Sequence, residues 1–346
     1  MSTPSRPSRL PHARLAAGAL AAVVLLAVTV GFGLAVGTRA LPLPEVLDAL
    51  IARGETDASI IVWEQRMPRT VLGVLVGAAL GVGGALAQGI TRNPLADPAL
   101  IGVSSGAALA LVLGTFVFGV STLASQIVIA AVGAAVIGGA VLAMAGFGRG
   151  DTAGTAPTSL ALIGLSMSAL IVAVISVLVL LDAQTLEEYR YWLVGALAGK
   201  GTPTVLVVAP VILAGLSATM FAARGLDALA LGEDVARGLG VRVGRARVLA
   251  GAGVVLLTST AVAAAGPIGF VGLVVPHVAR AITGPRHGWL LPYAALLGAS
   301  LLVAADVVGR LVVRPAELQV GVVTALVGAP LVLALLRRSK SAGAAL

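Results

Sequence analysis

Ten apolar runs, each near the length that crosses a bilayer, constrain this chain more than any other feature. They fall at about 15–37, 70–90, 99–118, 124–146, 158–181, 204–222, 247–265, 268–283, 290–306 and 319–336. An α-helix rises 1.5 Å per residue, so roughly 20 residues cross about 30 Å of hydrocarbon, and shorter spans fit inside a bundle. The run 268–283 is the most interrupted, by Gly266-Pro267 before it and Pro276 within it. Arg6, Arg9 and Arg14 precede the first run, which exceeds a signal-peptide core and has no clear cleavage site after it. It reads as a first span with its N-terminus inside.

Composition agrees. The chain is 58% hydrophobic and only 11% charged, with a mean hydropathy of +1.05, outside the range of soluble domains of this size. Its 44 glycines suit helices whose backbones approach closely in a membrane. Without cysteine there are neither disulfides nor thiolate metal sites, and His12, His277 and His287 are too scattered for a metal centre. The high isoelectric point reflects basic loops on one membrane face rather than affinity for nucleic acid.

Ten spans put both termini on one side, and the charge distribution chooses which. The loops predicted inside hold 15 Lys/Arg and 5 acids, and those outside 8 Lys/Arg and 10 acids. This follows the positive-inside rule. The longest outer segment, 38–69, carries a predicted amphipathic helix from Pro44 to Arg53. Another, 182–202, places Tyr191 beside Trp192 as in an interfacial belt.

The most informative inner segment is 223–247, with Arg224, Arg237, Arg242, Arg245 and Arg247. A short helix is predicted inside it, preceded by Gly232, with Glu233 and Asp234 in its first turn and Gly240 at its end. A folded cationic helix between spans implies a surface that touches something. No nucleotide is bound through a P-loop, because the nearest approach, Gly195 to Gly199-Lys200-Gly201, has the wrong spacing and no hydroxyl. No catalytic nucleophile stands in an activating context, so an enzyme reading has no support.

Other motifs admit plain structural readings. Gly73, Gly77, Gly81 and Gly84 form a groove that suits internal packing, or alternatively a subunit or pore contact. In the turn Arg92-Asn93-Pro94-Leu95-Ala96-Asp97-Pro98, Asp97 is placed to cap the next helix. The stretch 266–277 breaks a span, which is tolerated only inside protein or along a cavity. Arg66, Arg69 and Arg310 lie on the outer side, against the charge bias. They can snorkel, pair with Glu64, Asp306 or Glu317, or await acidic groups of a docking partner.

Five stretches together resemble the FecCD family, the iron-siderophore and vitamin B12 type permeases of binding-protein-dependent ABC importers. They are RMPR (66–69), NPLADP running into GVSSGA (93–107), LGEDVARGLGV (231–241), GPIGFVGLVVPH (266–277) and ELQVGVVTALVGAP (317–330). Their order and spacing across nearly the whole chain carry the resemblance. Gln319, where the family usually has proline, and Asp227, where asparagine is common, depart from the pattern.

The resemblance implies an all-α polytopic membrane protein with about ten transmembrane helices, cytoplasmic N- and C-termini and the type II ABC importer permease fold. Residues 1–346 then form a single permease domain in a bacterial inner (plasma) membrane, with cytoplasmic tails at 1–14 and 337–346 and an ATPase-coupling segment at 223–247. Its implied partners are a second permease, identical or paralogous, two cytoplasmic ABC ATPases that use ATP and Mg, and an extracytoplasmic substrate-binding protein. The chain itself is expected to bind no cofactor. Leu231, Gly232, Glu233, Asp234, Ala236, Arg237, Leu239, Gly240 and Val241 would seat against an ATPase, and Arg66, Arg69 and Arg310 would receive the binding protein. Gln88, Thr258 and Ser259 are the polar candidates for lining the path. The implied cargo is a ferric-siderophore-type chelate, with heme or cobalamin as alternatives. An ion-coupled secondary transporter is the competing class, but it calls for acids near the midplane and internal repeats, and neither is evident here.

Overall fold

The computed structural model describes residues 12–37, 39, 41–51, 54, 56–146 and 157–343. Every regular element among them is helical. They are α1 (His12–Ala35), α2 (Leu43–Ile51), α3 (Asp57–Ile60), a π turn (Ile61–Arg66) running directly into α4 (Met67–Thr91), a 3₁₀ turn (Pro98–Ile101), α5 (Val103–Phe118) and α6 (Leu123–Met144). Then follow α7 (Pro157–Leu181), α8 (Ala183–Leu193), α9 (Thr202–Ala230), α10 (Glu233–Gly238), α11 (Val243–Ala265), α12 (Val271–Thr283), α13 (His287–Val312) and α14 (Val320–Gly343). Seven of these stretches are long and apolar enough to cross a membrane, and α5, α12 and the stretch Val320–Ala334 of α14 are shorter apolar helices. These ten coincide with the ten apolar runs.

The ends differ where local chemistry intervenes. The run 99–118 becomes helical only at Val103, because Asp97 caps a 3₁₀ turn and Gly102, at φ 76°, separates it from α5. The segment 223–247 is less of a loop than its charge suggests. Ala223–Ala230 continues α9 and 243–247 opens α11, so only 231–242 lies between them. Nothing in Ala223–Ala230 breaks a helix until Gly232. Residues 12–14 already belong to α1 and 337–343 to α14. The outer helix expected at 44–53 is seen as α2, and residues 52 and 53 lie outside the described residues.

Helices α4 and α11 form the centre, with 89% and 72% of their apolar stretches buried, against 17% for α1 and α7. The glycine groove of α4 is internal packing. A Cβ on Gly77, Gly81 or Gly84 would sit inside the carbonyl oxygens of Gly298, Ala294 and Gly272, on α13 and α12. Backbones this close gain dispersion contacts that lipid cannot replace. The tyrosine hydroxyl of Tyr293 donates to Leu15 O (2.6 Å), so the starts of α1 and α13 lie together. The arginine-rich end of the bundle, which carries α10, is termed inner below, and the opposite end outer.

Candidate functional site

The inner end presents α10. Gly232 precedes it at φ 107°, ψ 154°, a conformation only glycine adopts readily. At the other end Gly240 N donates to Arg237 O (2.9 Å) and Val241 N to Ala236 O (3.0 Å), with Gly240 at φ 77°. This paired bonding closes the last carbonyls in a Schellman arrangement. So short a helix is not stable on its own propensity, and here both ends are fixed by glycine geometry. Ala236 is fully buried against the bundle, whereas Leu231, Val235 and Leu239 are 63%, 50% and 64% exposed. Val235 stands on α10 itself, while Leu231 ends α9 and Leu239 follows α10, so three exposed apolar side chains accompany the charged helix. Val235 is not among the residues expected to seat against an ATPase, yet it is exposed as Leu231 and Leu239 are, and its apolar side chain between Asp234 and Ala236 is the signal that could have found it.

Glu233 fastens this helix to the core. Its carboxylate accepts from Arg92 at the end of α4 (3.3 Å), pairs with Arg237 (3.5 Å), and accepts a short hydrogen bond from Arg247 in the first turns of α11. Arg92 itself terminates α4 in the left-handed region, at φ 50°. The two most buried helices are thus tied to α10 through one side chain. Nearby on α9, Asp227 accepts from His287 N (2.7 Å) and contacts its Nδ1 (2.8 Å), which pins the start of α13. Around this trio Arg224, Arg242 and Arg245 are exposed, and among the described residues they form no ion pair. Asp234 is fully exposed, and Arg237 also reaches it at 3.7 Å.

At the outer end the three singled-out arginines converge, but as paired groups. Arg66 is buried and donates to the carbonyls of Leu34 (2.8 Å), Ala35 (2.7 Å) and Arg39 (2.7 Å), closing the end of α1. Arg69 bridges Asp306 (2.8 Å) and Glu317 (2.7 Å). Arg310, 2% exposed, pairs with Asp306 (2.5 Å) and donates to Gly33 O and Val36 O (2.9 and 2.8 Å). Of the open possibilities, pairing with Asp306 and Glu317 is the one seen, and Glu64 takes no part. A cup of about 280 Å³ remains over the cluster, lined by Arg39, Gln65, Arg66, Arg69, Arg310 and Glu317 among others.

Gln88, Thr258 and Ser259 are each 1–3% exposed, and their polar atoms are committed inside the chain. Gln88 donates to Leu273 O (3.2 Å) and accepts from Arg280 (3.1 Å), bracing α4 against the start of α12. Thr258 and Ser259 return hydrogen bonds to their own helix, at Val254 O (2.5 Å) and Leu256 O (3.2 Å). Within this chain they line no open path. A polar residue in an apolar span is equally well explained by such bracing, which is why sequence alone did not separate the two roles. His277 Nδ1 is buried and, among the described residues, has no hydrogen-bond partner.

With this geometry in hand, comparison with known proteins is informative. A family model described as the FecCD transport family matches residues 25–338. The chain is 39% identical over 323 residues to the ferric enterobactin transport system permease protein FepD of Escherichia coli (strain K12), covering 93% of this chain and 95% of FepD. It is 40% identical over 331 residues to the cobalamin import system permease protein BtuC of Halobacterium salinarum, covering 92% and 88% respectively. A solved chain from an inward-facing metal-chelate type ABC transporter superposes with a TM-score of 0.80 at 30% identity, covering 93% of this chain and 99% of that one.

Proposed function

The chain belongs to the FecCD transport family and is a membrane-spanning ABC importer permease; from that premise we propose that it carries a ferric chelate inward, driven by ATPase subunits seated on α10. The observation that carries the reading is the exposed trio Leu231, Val235 and Leu239, on and at either end of a helix whose Ala236 is buried in the bundle. Fully burying one such side chain contributes about 1.5–3 kcal/mol, so three supply a central anchor. The cationic rim of Arg224, Arg242 and Arg245 then gives orientation more than affinity. Gly232, Glu233, Asp234, Arg237, Gly240 and Val241 shape and hold this surface, and Ala236 faces the bundle.

Two ATPases, using ATP and Mg, would close on a pair of permeases, identical or paralogous. Because Glu233 joins α10 to α4 and α11, displacement of α10 reaches the core as a rigid-body rotation rather than a local bend. At the outer end a binding protein would place an acidic group in the cup above Arg66, Arg69 and Arg310, where guanidinium groups outnumber the carboxylates of Asp306 and Glu317. The ferric-chelate cargo is supported by the likeness to FepD and to the metal-chelate transporter. Cobalamin is the second reading, favoured by the similar identity to BtuC.

Co-expression with the ATPase tests the central point. Val235→Asp together with Leu239→Asp should abolish co-purification of the ATPase while leaving a monodisperse permease. Retention of the ATPase by that variant would sink the assignment of α10.

A further inference from the structure

The outer end holds a second hollow, of about 280 Å³, between α6, α8 and the first residues of α14. Its frame is a crossing of three irregular segments. Ala196 N donates to Ala265 O (2.7 Å) and Gly321 N donates to Gly195 O (3.1 Å). Gly195 and Gly266 are both at positive φ, 71° and 74°, and a Cβ on Gly195 would lie 2.6 Å from Pro267 O. Here the break at 266–270 and the loop 194–201 brace each other. Irregular backbone at the margin of a membrane bundle is satisfied in this way only where it is packed or borders a cavity.

The side chains around this hollow are unevenly satisfied. The oxygens of Glu188 accept from Gln126 (2.8 Å), Thr115 (3.0 Å) and Gln184 (3.3 Å), all neutral donors that turn the carboxylate toward the α5–α6 wall while its charge remains. The donors have no such partners. The Trp192 indole N–H is buried without a partner, and among the described residues neither the Lys200 ammonium nor the Gln319 side-chain amide has one. Burial holds the Lys200 ammonium below its ordinary value. A partly desolvated cation and two idle donors around one cavity lack an acceptor that the chain does not supply.

We propose that this hollow is an entry subsite that takes an anionic, oxygen-rich edge of the ferric chelate. Lys200 supplies the charge, Gln319 an amide donor, and Trp192 the flat wall. The inference rests on the importer reading and narrows it to anionic oxygen-donor chelates. Coulombic attraction is stronger in a cavity than in open water, and the hollow lies at the outer end, the end at which the proposed binding protein would dock. A lipid phosphate presents the same chemistry, so the two sources must be separated.

The test uses the permease with its ATPase in nanodiscs, carrying Trp63→Phe and Trp289→Phe so that Trp192 is the permease's remaining indole, its signal taken as the difference from the same complex carrying Trp192→Phe. Ferric citrate should quench its fluorescence saturably. Lys200→Met should weaken the apparent affinity about tenfold or more, and Lys200→Arg should retain it. Equal affinity in wild type and Lys200→Met overturns the proposal, as does equal quenching by the cationic chelate ferrioxamine B. Loss of quenching when phosphatidylcholine is replaced by phosphatidylglycerol would assign the hollow to lipid headgroups and also overturn it. Co-elution of the ATPase reports folding of each variant independently. Its loss with intact α10 would count against the importer reading while leaving the quenching result standing.

Discussion

At the scale of single residues, charge placement governs both ends of the molecule. Asp306 is shared by Arg69 and Arg310 under cover of the outer loops. Removing one partner of a buried ionic group typically costs about 3–5 kcal/mol, because the remaining charge stays desolvated. Arg310→Met is therefore expected to lower the unfolding temperature in detergent markedly. Arg39→Glu, on the exposed rim of the same cup, should leave stability unchanged and weaken binding-protein affinity in a salt-dependent way, read by surface plasmon resonance at two ionic strengths. Unaltered affinity would remove the cup from the docking surface. Glu233 is the inner counterpart. Glu233→Gln keeps the shape but loses the charge that gathers Arg92, Arg237 and Arg247. The pairs with Arg92 and Arg237 are exposed and contribute only about 0.2–1 kcal/mol each, and the mostly buried Arg247 can still donate to the amide oxygen, so the ATPase should still bind. The stimulation of ATP hydrolysis by loaded binding protein is the quantity expected to fall.

At the scale of elements, close helix contacts separate tolerant glycines from obligatory ones. Gly84→Val would drive a branched side chain into the Gly272 carbonyl across α4 and α12, where both backbones are buried. Overpacking of this kind costs about 1–3 kcal/mol or more, and expression as aggregate is expected. Gly139→Ala on α6 meets no neighbouring atom and should elute from size exclusion as wild type does. If both variants behaved alike, the packing assigned to α4 would be wrong. The helix α10 shows how far local sequence reaches. Its start, its acids and its glycine stop follow from the sequence 232–240, since capping geometry is set by nearest neighbours. Which of its side chains face outward depended on where α9 and α11 hold it.

At the scale of the whole molecule, hydropathy made the ten apolar helical stretches legible, because it expresses transfer of individual residues between water and lipid. The five motifs placed the chain in its family before any packing was known. Pairing was not legible. For Arg66, Arg69 and Arg310 the sequence left snorkelling, pairing and docking open, and their partners lie at carbonyls and carboxylates brought in by α1, α13 and the 313–319 turn. Among the candidates for lining the path, Gln88 bonds across to α12, while Thr258 and Ser259 bond within α11. The hollow at Lys200 depends on contacts between residues 194–201, 265–267 and 319–321, which no local pattern announces. Sequence by itself determined which segments form long apolar helices and where the short helix α10 starts and stops, since those are one-body or nearest-neighbour terms. Tertiary structure decided which polar groups are spent and which remain available, because that depends on burial and on partners distant in the chain.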